Sequence, residues 1–296
     1  MQLKGTITAL ITPFTKQKVD EQRLVHHIHD QLDQGVNGIL LLGITGESCT
    51  LTPEEQERMI QLGKNEIAGK VPLIVGTDSN STQKAIEKAQ KAKELGANAI
   101  LVVTPYFNKP TQEGIFRHFQ AITQAVNIPL IVYNHPGRSI VAIEPATLLK
   151  IVELPNIIAI KDAAENLSQA GDFIYALKDK KPKIAIFSAD DISTYTLMSL
   201  GADGVISAIS NLIPAKMVAL VNALLQKNFE KALEMHFELF PLLKAAFIET
   251  NPIPIKTAMN LCGMQMGEFR LPMCEMQAEN LERLKQVLAA MQFIKN

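Results

Sequence analysis

Cysteine is scarce in this 296-residue chain: Cys49, Cys262 and Cys274 are odd in number and form no Cys-x-x-Cys pair. That excludes a disulfide framework and points to free thiols in a reducing cytoplasm. Neither sign of charge dominates. With a formal net charge of −1 and no long basic run, the chain has no field suited to nucleic acid or an anionic membrane. No window approaches eighteen uninterrupted apolar residues, so no membrane span is expected. The run behind Met1-Gln2-Leu3-Lys4-Gly5 is too short, and too soon broken by Thr12 and Pro13, for a signal peptide. No Gly-x-Gly-x-x-Gly turn follows an early strand, which argues against a doubly wound dinucleotide fold. No nucleophile-elbow pattern supports a serine hydrolase.

What the chain does have is alternation. Short apolar runs of β type recur at Thr6 to Ile11, Gly38 to Leu42, Leu73 to Val75, Ala99 to Val103, Leu130 to Tyr133, Ile157 to Lys161, Ile184 to Ser188 and Gly204 to Ile206. Amphipathic helical stretches separate them, with recognisable starts at Thr52-Pro53-Glu54-Glu55, Ser81-Thr82, Thr111-Gln112 and Glu144-Pro145. Glycine closes several, as in Leu95-Gly96 and Leu200-Gly201. Strands apolar throughout are the mark of parallel sheets, and eight βα units in a row predict a (β/α)8 TIM barrel over residues 1–225. Residues 226–296 carry helical patterns only, at Phe229 to Phe247, Ile253 to Leu261 and Glu275 to Met291, which predicts a C-terminal helical extension.

The strand Ile157-Ile158-Ala159-Ile160 ends in Lys161-Asp162. An ammonium beside such a run is costly unless it is paired or deprotonated. One reading is structural: the stem lies on apolar surface while the head reaches water or pairs with Asp162. The other is chemical, because a neutral amine in an apolar pocket forms Schiff bases with carbonyls. Barrel enzymes place their chemistry at the C-terminal ends of strands, so the neighbouring strand ends decide between them. Gly43-Ile44-Thr45-Gly46-Glu47 suits backbone N–H groups aimed at a carboxylate, or is an ordinary glycine-containing turn. Tyr133 offers a phenol for proton transfer, and Arg138 a guanidinium for a carboxylate. Together these groups suit a carbonyl acid bound as an imine with no metal and no cofactor, which favours the chemical reading of Lys161.

Other candidates carry less. His26, His27 and His29 lack acidic or cysteine companions in a zinc spacing and are expected on the solvent side. Asp190 and Asp191 read as caps, and the tail methionines Met259, Met264, Met266, Met273 and Met276 as core filler.

With those residues in view, Gly43-x-Thr45-Gly46-Glu47, Tyr133-Asn134-x-Pro136-x-Arg138 and Ile160-Lys161-Asp162 resemble the signatures of the dihydrodipicolinate synthase and N-acetylneuraminate lyase family of class I aldolases. The likeness runs through Asn251-Pro252-Ile253-Pro254-Ile255-Lys256 and Leu271-Pro272-Met273 in the tail. Arg138 matches the synthase branch. The resemblance implies condensation of pyruvate with L-aspartate 4-semialdehyde to 4-hydroxy-tetrahydrodipicolinate, in lysine and diaminopimelate biosynthesis. It implies an imine on Lys161, proton transfer by Tyr133, and a pyruvate carboxylate held by Thr45 and Gly46 with the Ile206 carbonyl nearby. Arg138 would bind the second carboxylate. A homotetramer built as a dimer of dimers is implied, as is a lysine feedback pocket at Ser48, Cys49, Asn80, Lys84 and Tyr106. Four positions depart from the family's pattern. Ile44 stands for a threonine and Phe107 for a tyrosine of the proton relay, and Ala189 for a glycine; Ile44 and Phe107 can make no hydrogen bond through their side chains. Lys84 replaces a glutamate and would repel a lysine ligand. Alternatives are a pyruvate-dependent aldolase of the same family with a different aldehyde, and a ketoacid-binding barrel without useful turnover.

Overall fold

The computed structural model describes residues 2–163 and 166–295. The barrel strands are β1 (Gly5–Ala9), β4 (Gly38–Leu41), β5 (Leu73–Gly76), β6 (Ala99–Val103), β7 (Leu130–Asn134), β8 (Ile157–Asp162), β9 (Ala185–Ser188) and β10 (Gly204–Ser207), all parallel. They close in the order β1-β10-β9-β8-β7-β6-β5-β4, so every edge is paired. The (β/α)8 expectation holds, and each barrel strand overlaps one of the apolar runs.

Both faces of each strand are buried, for two different reasons. Leu101, Val103, Ile131, Tyr133, Ala159 and Phe187 fill the barrel interior. Their neighbours Ile100, Val102, Leu130, Val132 and Ile160 pack outward under the helices. This period of two fixes the direction of Lys161. Ala159 points inward and Ile160 outward, so Lys161 points into the barrel mouth.

The helices between strands are α1 (Glu21–Asp33), α2 (Pro53–Ile67), α3 (Thr82–Glu94), α4 (Gln112–Ala125), the one-turn α5 (Pro136–Ser139), α6 (Pro145–Ile151), α7 (Leu167–Leu177), α8 (Thr194–Leu200) and α9 (Pro214–Leu225). The capping box expected at Thr52 forms: Thr52 Oγ1 accepts the Glu55 N–H at 3.2 Å, and Glu55 accepts the Thr52 N–H at 3.0 Å. Gly201 ends α8 at φ +118°, a left-handed conformation that a side chain would strain. The tail folds as α10 (Phe229–Ala245), α11 (Ile253–Leu261) and α12 (Ala278–Ala290), within the ranges read from sequence. Met259, Met266 and Met276 are buried, and Met264 and Met273 pack on the same core.

Two features differ from expectation. Phe14–Thr15 (β2) and Lys18–Val19 (β3) form a small antiparallel hairpin. Its two-residue turn puts Lys16 and Gln17 at φ +51° and +59°, without the Asn-Gly signature that usually announces such a turn. His27 is not on the solvent side. It is buried on α1, and its Nε2 shares a hydrogen bond of 2.9 Å with Asn211 Oδ1, which also accepts the Ile11 N–H. Burial lowers its pKa.

Candidate active site

The mouth of the barrel opens into a cavity of about 400 Å³ lined by Ile44, Thr45, Tyr133, Arg138, Lys161 and Ile206. Lys161 is 4% exposed, and its Nζ lies 4.2 Å from the centroid of the Tyr133 ring. It forms no ion pair among the described residues: Asp162 Oδ1 instead accepts from Asn134 Nδ2 at 2.8 Å. Burial pushes the lysine down to about 8. The Arg138 guanidinium works in the same direction, while the charges of Asp78 and Asp191 oppose it. Of the two readings of Lys161, the geometry fits the chemical one.

Tyr133 stands beside Lys161 in the strand register and is buried, which pushes its phenol far above the ordinary range. Its ring lies 5.3 Å from that of His135, which burial holds down to about 4 and therefore neutral. Arg138 sits on α5 at the cavity rim. Its Nη2 donates to Thr250 Oγ1 at 3.2 Å and to the Asn251 carbonyl at 3.1 Å. Asn251 Nδ2 in turn donates to Thr45 Oγ1 at 2.9 Å. That bond occupies Thr45 as an acceptor and leaves its hydroxyl proton for a carboxylate. The tail thus ties Thr45 and Arg138 to one another.

The turn after β4 has its own anchor. Glu47, at φ +54°, is buried and takes the Lys256 ammonium at 2.8 Å; Lys256 is fully buried and also donates to the Thr12 carbonyl at 2.9 Å. Arg270 donates its N–H to Glu47 at 3.3 Å and pairs through both terminal nitrogens with Glu55 at 2.6 Å. A buried charge pair of this kind holds geometry only while both partners are present.

The remaining expectations divide. Ser48, Cys49, Asn80, Lys84 and Tyr106 do gather, around a second cavity of about 580 Å³ that shares Ile44, Tyr133 and Arg138 with the first. Ile44 faces both cavities and brings no hydroxyl to either. Gly46 lines neither. Its N–H donates to the Gly43 carbonyl at 3.1 Å, its carbonyl accepts from Thr12 Oγ1 at 2.6 Å, and a Cβ there would stand 3.0 Å from the Leu10 carbonyl. The structure gives it a packing role in the turn. Phe107 also lines neither cavity. It is 89% exposed at φ +71°, while the neighbouring Tyr106 turns inward.

Asp190 and Asp191 do not cap α8 as expected: Ser193 is its N-cap and makes no side-chain cap bond, while Asp190 accepts from Ser193 Oγ at 2.6 Å. Asp191 is fully buried and accepts the N–H groups of Ala208 and Ile209 at 3.0 and 3.1 Å, which fixes the chain just after Ile206; burial pushes its carboxyl up to about 6. Among the described residues no group of His, Cys, Asp and Glu side chains is arranged to hold a metal ion. Sequence reasoning missed three residues of the site: Asn251, Lys256 and Asp78. The first two lay in a segment singled out only for its likeness to the family. Asp78 had a signal, an acid just beyond a barrel strand.

Comparison with known proteins agrees with this geometry. A protein of Protochlamydia amoebophila named 4-hydroxy-tetrahydrodipicolinate synthase is 49% identical over 289 residues, 97% of this chain and 96% of its own. Another of that name from Methanocaldococcus jannaschii is 45% identical over 286 residues, 96% of this chain and 97% of its own. The crystal structure of a dihydrodipicolinate synthase from Thermotoga maritima superposes with a TM-score of 0.96 at 39% identity, covering 99% of this chain and all of that one. The model of the dihydrodipicolinate synthetase family matches residues 2–291, and the chain belongs to that family.

Proposed function

We propose that the chain condenses pyruvate with L-aspartate 4-semialdehyde to 4-hydroxy-tetrahydrodipicolinate, a step of lysine and diaminopimelate biosynthesis. The observation that carries this reading is the buried Lys161 amine, without an ion pair among the described residues, in a cavity that Thr45 and Arg138 also line. The neutral amine adds to pyruvate C2, and loss of water gives the imine. Thr45 holds the pyruvate carboxylate. Loss of a C3 proton, taken by Tyr133, yields an enamine that attacks the aldehyde carbon of the second substrate, whose carboxylate Arg138 receives. Ring closure by that substrate's amino group on the imine carbon expels the product and returns Lys161. No metal or organic cofactor takes part.

A coupled assay with pyruvate and aspartate semialdehyde, run beside a panel of sugar-derived aldehydes, tests the reading. Preference for a sugar aldehyde would overturn it. The free, partly exposed cysteines fit a cytoplasmic enzyme. The exposed Phe107, Tyr175, Leu200 and Phe237 fit surfaces that a homotetramer would cover. Lys84 and Lys88 both face the second cavity, so a lysine ligand there meets two like charges. Inhibition by lysine is accordingly expected to be weak or absent, and a micromolar inhibition constant would contradict that.

A further inference from the structure

Asp78 lies two residues beyond the end of β5, and its Oδ1 accepts the Val103 N–H at 2.6 Å. Val103 lies beside Tyr133, and Tyr133 beside Lys161, in the registers of β6, β7 and β8. Neighbouring strands are about 4.8 Å apart, so carboxylate, phenol and amine occupy one row around the barrel rim with Tyr133 in the middle. Asp78 is partly exposed, and what it exposes is the wall of the second cavity, which Tyr133 and Ile44 also line. Its Oδ2 makes no hydrogen bond among the described residues. Burial pushes the carboxyl up to about 6, against the Val103 N–H and the charges of Lys88 and Lys161.

Tyr133 needs a group with which to exchange its proton. Ile44 has no hydroxyl, and the Phe107 ring is at the surface. Tyr106 offers only a phenol that burial pushes up, a poor acceptor for the proton of another phenol. We propose that Asp78 is the group that accepts and returns the Tyr133 proton as the Lys161 imine and its enamine interconvert. This rests on the pyruvate reading above. As the C3–H bond of the imine breaks, its proton goes to Tyr133 Oη, and the Tyr133 proton passes across the cavity to the Asp78 carboxylate. The C–H electron pair becomes the enamine double bond, and the positive charge on the imine nitrogen is neutralised. The reverse step returns both protons. The cavity has room for water to bridge carboxyl and phenol. Because Asp78 reaches the substrate only through Tyr133, it is a positioning residue.

The groups that face Asp78 across this cavity are Lys84 and Lys88 on α3, Cys49 after β4, and Tyr106 after β6. From the end of β7 come Tyr133, His135 and Arg138, with Lys161 behind them on β8. Asp191, which acts on Lys161 from the other side, is also held near 6, so a wild-type pH profile alone does not single out Asp78. Substitution does. Asp78→Asn keeps an oxygen for the Val103 N–H and removes only the ionisation.

The test is exchange of the pyruvate methyl protons in deuterium oxide, followed by NMR without any aldehyde, in wild type, Asp78→Asn and Asp78→Glu. Borohydride trapping of pyruvate on Lys161 runs alongside as a check of imine formation. The expected result is trapping in all three proteins, with exchange about 100-fold slower in Asp78→Asn and partly restored in Asp78→Glu. The fall in exchange below about pH 6 should shrink in Asp78→Asn. Exchange within about twofold of wild type, with an unchanged profile, would overturn the proposal. Loss of trapping in both variants would overturn it too, in favour of a structural role. Exchange that depends on Asp78 in a protein inactive with aspartate semialdehyde would leave the proposal standing and remove the second substrate. Wild type without adduct or exchange would remove both.

Discussion

The reactivity of Lys161 follows from where its strand puts it. Pointing inward after Ala159, the amine loses water without gaining an ion pair among the described residues, and its charged form becomes unfavourable. With a pKa of about 8, about one amine in ten is neutral at pH 7, against fewer than about one in a thousand for an ordinary lysine. The sign is that of a depressed base: the reactive form grows as pH rises through 8. Imine formation with pyruvate, measured by stopped-flow trapping, should therefore speed up between pH 6 and about 8 and level off above it. A rate still climbing steeply at pH 10 would mean an unperturbed lysine. A lysine closing a wholly apolar run, beside the Gly43–Glu47, Tyr133 and Arg138 strand ends, made this residue legible from sequence alone. Asp78 and Asn251 were not legible in the same way, because each acts through a contact with a residue distant in the chain.

At the level of elements, α11 and the turn after β4 depend on one another. Ile253–Leu261 brings Lys256 under Phe14 and onto Glu47, next to the Thr45 turn. Lys256→Met leaves Glu47 buried without its cation and should cost about 3–5 kcal/mol of stability, read by urea unfolding. Adding Glu47→Gln should recover part of that loss. A single variant as stable as wild type would show that the pair holds nothing. The barrel strands and tail helices could be read in the sequence because burial on both faces and helical periodicity are local patterns. The hairpin at β2–β3 could not, since its left-handed Lys16–Gln17 turn has no local preference behind it. The Gln17 carbonyl is instead held by Arg270 and the Phe14 N–H by the Met266 carbonyl, both in the tail. Gly46 illustrates the same limit: its close approach to the Leu10 carbonyl joins residues far apart in the chain, which no local pattern announces.

Over the whole molecule, the C-terminal helical region closes the site rather than standing apart from it. Thr250 and Asn251 hold Arg138, Asn251 holds Thr45, and Lys256 holds the turn between them. Asn251→Ala removes the bond to Thr45 while leaving the main-chain carbonyl that Arg138 uses. It should raise the KM for pyruvate about 10-fold with a smaller change in kcat, as expected for one lost hydrogen bond to a buried group. An unchanged KM would show that Thr45 keeps its position without the tail. The eight-unit barrel was legible as a repeat of architecture, whereas this closure joins residues some two hundred positions apart, beyond the reach of any local pattern.

The central claim is that Lys161 carries pyruvate as an imine. Borohydride reduction in the presence of pyruvate, followed by peptide mass analysis, tests it most directly. The account predicts a single stable adduct, on the peptide containing Lys161, absent from Lys161→Ala and formed faster at pH 8 than at pH 6. No adduct, or an adduct on another lysine that persists in Lys161→Ala, would contradict it.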